Sequence, residues 1–193
     1  MLRKFIDKIL EYSKHKYAVP ILCILSVVEA SFFPIPPDLL LISMGLAKPK
    51  KAIHYAFLTT VFSVLGGLLG YMIGMYLWDE ISPYFFRVVF SPDKFEKVKV
   101  LYENNAFFAI FISGYTPIPY KIFTITAGVF SIPLSVFIMA STMGRALRFF
   151  LFGTFIYFYG DHTRVWVQKH VQKVIVISST LFLLIFILFK MYF

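Results

Sequence analysis

One cysteine, Cys23, is all that the chain contains. An intramolecular disulfide is thereby excluded, as is any CxxC or Cys/His metal spacing, so redox and metal-scaffold chemistry drop out. Charge is also scarce, with 15% of the 193 residues charged and 10 of them acidic. Catalytic motifs are missing: there is no GxSxG, no HExxH and no paired-carboxylate spacing. A membrane-embedded phosphatase or transferase would need a His nucleophile or clustered metal-binding carboxylates. The histidines, His15, His54, His162 and His170, instead sit in or beside connecting segments between apolar runs. The sequence predicts no enzyme, no metal site and no cofactor.

What is abundant is apolar surface: 59% of the residues are hydrophobic and 20% aromatic. That is well above the share in a soluble domain and predicts an all-α integral membrane protein. The net charge of +9 comes from short basic clusters between apolar stretches, where a membrane protein carries topology signals and anionic-lipid contacts, and not from a nucleic-acid-binding face.

Pro34-Ile35-Pro36 recurs as Pro117-Ile118-Pro119, an offset of 83 that also carries Asp38 onto Lys121, Gly45 onto Gly128 and Gly70 onto Gly153. The chain is an internal repeat in which one break holds an acid and the other a base. A spanning helix needs about 20 apolar residues. Segments 52–78, 134–160 and 174–193 meet that requirement, the last with Lys190 able to snorkel. Segments 39–47, 105–116 and 122–130 are too short to cross singly. Each Pro-Ile-Pro is therefore read as the tip of a re-entrant helical hairpin, its irregular backbone shielded by protein.

Residues 1–16 place Leu2, Phe5, Ile6, Ile9 and Leu10 opposite Arg3, Lys4, Lys8 and Lys14, the pattern of an interfacial amphipathic helix retained at the N-terminus. The expected organisation is then 1–16 interfacial helix, 17–78 first repeat, 79–104 external connection, 105–160 second repeat, and 161–193 a basic segment with a final span. With a cytoplasmic N-terminus, Lys48, Lys50, Lys51, Arg164, Lys169 and Lys173 face inward. The outward connection balances Arg87, Lys94, Lys97 and Lys99 against Asp79, Glu80, Asp93, Glu96 and Glu103. The positive-inside bias supports that orientation and makes the two halves inverted, the plan of secondary transporters with a midplane site at the repeat interface.

Five ionisable groups remain at membrane depth: Glu29, Asp38, Lys121, Arg145 and Arg148. Such groups pair with one another or face water. Asp38 and Lys121, related by the repeat, are candidate partners at the hairpin tips formed by Pro34, Pro36, Pro37, Pro117 and Pro119. Arg145 and Arg148 share a helical face with no acid within a turn to neutralise both, so a phosphate-bearing ligand held by Arg145, Arg148 and Lys121 is one reading and an internal ion-pair cluster is the other. Glu29, in an apolar run, is either a proton carrier or a counter-ion for an arginine. The small-residue face of Thr59, Ser63, Gly66, Gly67, Gly70 and Gly74 suits close helix approach to a hairpin or to a second copy of the chain.

The combination of Glu29-x8-Asp38 around FFPIPPD, then SGYTPIPYKIFTITAG, then GRALRFF, resembles the DedA family, also called SNARE-associated or VTT-domain proteins, and within it the YqaA-like branch. The resemblance spans roughly residues 19–160. It implies two re-entrant hairpins, residence in the bacterial inner membrane, and movement of lipids across the bilayer, with undecaprenyl phosphate or phospholipids as substrates and dependence on protons in some members. Glu29 and Asp38 fall on the family's two functional acids, Asp38 replacing a Glu. Gly114 stands where the main branch has a base, Lys121 matches the second basic position approximately, and Arg145 and Arg148 follow the GRxxRF pattern. The function expected is a lipid flippase or scramblase; the alternatives are a proton-coupled ion or small-solute transporter and a non-transporting membrane scaffold.

Overall fold

The structure is a computed structural model that describes residues 17–31, 36–88, 99–100, 102–116 and 118–160. The expected interfacial helix at 1–16, the final span at 174–193, and the tip prolines Pro34 and Pro117 lie outside the described residues. Among those described, the regular structure is helical and no strand occurs. We number the helices α1 (Ala18–Ser31), α2 (Asp38–Ala47), α3 (Ala52–Val88), α4 (Ala106–Tyr115), α5 (Tyr120–Val129) and α6 (Leu134–Gly160).

Proline and local polarity set most of these boundaries. Pro37 leads into α2, and Asp38 occupies its first turn, where a carboxylate suits the positive end of the helix dipole. Lys48 leaves helical geometry (φ −141°, ψ 76°) because Pro49 follows it, and Pro49–Lys51 forms a single 3₁₀ turn into α3. Thr116 is extended (φ −85°, ψ 169°) ahead of Pro117 and closes α4. Pro119, also non-helical, precedes α5. Between α5 and α6 the chain reverses through Ser131 at φ 52°. At ten residues each, α2, α4 and α5 would rise only ~15 Å.

Two stretches, Pro49–Trp78 and Leu134–Gly160, are long and apolar enough to cross a bilayer. The helix begun at Ala52 does not stop at Trp78 but runs on to Val88, so part of the connection expected at 79–104 is a continuation of α3. Both long helices turn apolar stripes outward at four-residue spacing: Phe57, Val61, Leu65 and Leu69 on α3, and Met139, Met143, Leu147, Leu151 and Phe155 on α6. A water-soluble surface does not carry continuous stripes of that kind, whereas hydrocarbon accepts them. The interior holds polar groups among its apolar ones, with Ser26, Thr59, Ser63, Thr124, Ser141 and Arg145 buried.

The short helices pack on the long ones through glycine. A Cβ on Gly66 would strike the backbone of Val27 in α1, and one on Gly74 the carbonyl of Ile125 in α5. Gly128 in turn lies against the Tyr71 carbonyl. The glycine face of α3 thus receives both short-helix pairs at backbone contact, where no larger residue fits. On α6, Gly144 meets the Phe111 carbonyl of α4, and Ile156 meets Gly45 of α2 at 3.2 Å from where its Cβ would lie. The far end of α6 returns to the start of α3, with Gly160 against Pro49. The α1–α2 pair opens toward Tyr55 at the start of α3. The α4–α5 pair opens toward Tyr71, whose hydroxyl donates to the Ile132 carbonyl at 2.7 Å.

Candidate functional site

Between the two proline breaks, α6 supplies two guanidiniums one turn apart. Arg145, 2% exposed, donates from Nη2 to Oε2 of Glu29 on α1 at 2.9 Å. Its Cζ lies 4.0 Å from the centroid of the Tyr120 ring and 5.5 Å from that of Phe149. The aromatic face stabilises a cation in a site with little water to do so. Close approach of α6 to α4 at Gly144 brings this turn of the helix into the interior.

Arg148 is held differently. Its Nε and Nη2 form a fork on Asp38, 3.0 Å to Oδ1 and 2.8 Å to Oδ2, while Nη1 donates to the carbonyl of Thr116 at 2.6 Å. Planar two-point pairing of this kind is the strong, geometrically specific form of an arginine–carboxylate contact. Asp38 opens α2 just after the first break and Thr116 ends α4 just before the second. One side chain therefore fastens both breaks to α6.

The expected pairing of Asp38 with Lys121 is not what forms. The repeat offset relates the two positions in sequence, but α6 lies across the tips and Arg148 takes both oxygens of the carboxylate. Lys121, half-buried in the first turn of α5, enters no ion pair among the described residues. Glu29 and Asp38 are thus each neutralised by one arginine, which leaves Lys121 as the surplus cation of the group. Pro36 and Pro37 immediately precede Asp38, and Pro119 stands two residues before Lys121.

Tyr120 and Thr116 carry roles that residue type alone did not suggest. Tyr120 is buried beneath Arg145, and its place immediately after Pro119 was the one available hint. Thr116 contributes a backbone oxygen, for which the sequence offers no signal. Behind them, Tyr102 donates to the Phe123 carbonyl at 2.8 Å. Burial first, and Tyr120 second, push the Tyr102 phenol well above its ordinary range, so it stays a neutral donor. A cavity of about 490 Å³ lined by Asn104, Phe107, Phe130 and Pro133 sits at the open end of the α4–α5 pair, and none of the ion-pair residues lines it.

This geometry occupies a recognisable stretch of chain. The VTT domain matches residues 35–158, which include Asp38, Lys121, Arg145 and Arg148. The chain belongs to the VTT-domain family. That domain defines the DedA family, and with the outward apolar stripes it makes the chain a DedA-type membrane protein. Similar proteins include an uncharacterized protein of Haemophilus influenzae, 36% identical over 166 residues and 86% of each chain. Another, from Histophilus somni, is described as an uncharacterized HI0703 homolog and is 34% identical over 145 residues and 75% of each chain. No solved structure matches significantly.

Stability should follow the pairing. Asp38→Asn leaves Arg148 without its carboxylate and is expected to cost about 3–5 kcal/mol, whereas the double change Asp38→Leu with Arg148→Met removes both charges and should cost much less. Thermal unfolding in detergent reads both. A double variant no more stable than Asp38→Asn would show that the cost does not come from stranding the Arg148 charge.

Proposed function

We propose that this VTT-domain protein moves a phosphate-bearing lipid, such as undecaprenyl phosphate or a phospholipid, across the bacterial inner membrane as a flippase or scramblase. The observation that carries the reading is the Arg148 bridge between the two breaks. A headgroup phosphate presents the same forked acceptor as a carboxylate, so it can displace Asp38 from Arg148 and draw on the surplus charge of Lys121. Losing Asp38 unfastens the α1–α2 break from α6. Headgroup binding and release of the breaks then become one event, while the acyl chains stay in lipid along the apolar outer faces.

In this reading each helix pair is a re-entrant hairpin, and the two halves form an inverted repeat. The packing supports it. The first arm of each pair lies on the long helix of its own half, Val27 at Gly66 and Phe111 at Gly144. The second arm lies on the long helix of the other half, Gly128 at Tyr71 and Gly45 at Ile156. The hairpins open toward opposite ends of α3, and Lys48, Lys50 and Lys51 are exposed at the end assigned to the cytoplasm, with the N-terminus on the same side. Cysteine at Lys50 in a Cys23→Ser background should be labelled only from the cytoplasm, and cysteine at the exposed Ser131 only from outside. Labelling of both from one face contradicts the inverted arrangement.

Glu29 is the acid suited to proton coupling. It is tied to Arg145 by a single bond, whereas Asp38 is held at both oxygens. The closed state of both pairs favours a second reading, a non-transporting scaffold whose charges only fix the helices. Lipid binding separates the two. Arg145→Ala and Arg148→Ala are expected to weaken retention of anionic lipid at least tenfold relative to Arg164→Ala, with poor rescue by lysine, as measured by mass spectrometry of co-purifying lipid and by flipping of a lipid analogue in proteoliposomes. Undiminished flipping by the double alanine variant at normal expression contradicts the phosphate site, and absence of flipping by the wild type leaves the scaffold.

A further inference from the structure

Among the described residues, four buried side-chain polar atoms have no hydrogen-bond partner: Oγ of Ser63, the Tyr120 hydroxyl, Oγ of Ser141 and Nε of Arg145. They come from α3, α5 and α6, three helices that meet around Tyr120. Arg145 lies on the Tyr120 ring, Ser141 is one turn before Arg145 on α6, and both the Ser141 hydroxyl and the Arg145 guanidinium lie near enough to the Tyr120 phenol to interact with it, short of full hydrogen-bond geometry. Gly67, one turn after Ser63, lies against the same phenol. A Cβ there would come within 2.7 Å of the Tyr120 oxygen, so glycine leaves that oxygen room for another partner.

The two serines stand apart from the other buried hydroxyls. Ser26, Ser31, Thr59, Thr60, Ser113 and Thr124 each donate to a carbonyl three or four residues back in their own helix. That is the usual way for a serine or threonine to satisfy itself in an apolar environment. Ser63 and Ser141 forgo it, and both are fully buried. Buried polar groups in folded proteins are partnered by protein or by ordered water, and a buried water is held by two to four such groups. Donors and acceptors are both present here, since each hydroxyl can do either and Nε only donates.

We propose that Ser63, Tyr120, Ser141 and Nε of Arg145 enclose an internal water-binding site that solvates the Arg145 guanidinium. Its consequence concerns Glu29. Nη2 of Arg145 meets Glu29 while Nε has no protein acceptor, so a water at Nε leaves Arg145 a hydrogen-bonding partner when Glu29 is neutralised. Arg148, engaged at Nε, Nη1 and Nη2 by protein acceptors, has no comparable reserve. The inference goes beyond the transport reading, because it holds whatever the arginines bind.

The test is the sign of a stability change, measured without added lipid. If the four groups were dry, replacing an orphaned hydroxyl by an apolar isostere would stabilise the protein or leave it unchanged. If they hold water, Ser63→Ala, Ser141→Ala and Tyr120→Phe, which keeps the ring under Arg145, each lower Tm by roughly 2–4 °C. Ser26→Ala, whose hydroxyl is already satisfied within its helix, is the control and should shift Tm less. Glu29→Gln should be tolerated in the wild-type background and lower Tm further when combined with Tyr120→Phe. Magnetisation transfer from water to the Arg145 Nε–H, followed by solid-state NMR in lipid nanodiscs, should be present in the wild type. A rise or no change in Tm for the three variants, or absence of that transfer, overturns the water site.

Discussion

Holding two guanidiniums inside a helical membrane protein is the constraint on which the rest of this structure depends. Arg145 and Arg148 are admitted only because two acids, an aromatic face and a backbone carbonyl meet them, since an unpaired charge at membrane depth is costly. Those partners come from α1, α2, α4 and α5. None of the short helices crosses a bilayer alone, and all are drawn to one long helix. The glycines of α3 then allow α1 and α5 to lie at backbone contact, and Gly144 of α6 does the same for α4. Electrostatics chooses the arrangement and small residues permit it.

The two arginines are not equivalent. Arg148 is saturated by acceptors from both sides of the helix pairs and acts as a fastener. Arg145 is cushioned by Tyr120 and joined to Glu29, and its Nε is buried without a protein acceptor. In the proposed transport reading, a phosphate competing for the first would loosen the breaks, and a proton reaching Glu29 would free the second. This division gives a physical route by which anion binding and proton binding can influence each other through one helix.

Much of this was legible in the sequence because the signals were of length and spacing. Runs too short to span, bounded by Pro-Ile-Pro, separate the short helices from the long ones, and the four-residue spacing of glycine marks the packing face of α3. The five ionisable residues in apolar surroundings were also apparent from type alone. An arginine partner for Glu29 was one of its two readings, and it forms; the partner of Asp38 was not foreseen. The repeat offset related Asp38 to Lys121, but which charges meet is decided by how α6 crosses the breaks, a tertiary property that no local pattern encodes. The Thr116 carbonyl is invisible for the same reason, being backbone. Tyr120 reads as one more aromatic in a chain with 20% of them. The run of α3 beyond Trp78 was missed because Asp79 and Glu80 look like an interface, although a helix readily continues through it.

The central claim is that Arg148 fastens the two breaks to each other and that a phosphate headgroup releases them. Nitroxide labels at Leu39 and Ile118, both solvent- or lipid-facing beside the breaks, introduced as cysteines in a Cys23→Ser background, report the separation directly by electron paramagnetic resonance in nanodiscs. A single narrow distance distribution is predicted in zwitterionic lipid, broadening toward longer distances with added phosphatidate and already broad in Arg148→Ala. Identical narrow distributions in the wild type with and without phosphatidate, and in Arg148→Ala, would contradict the account.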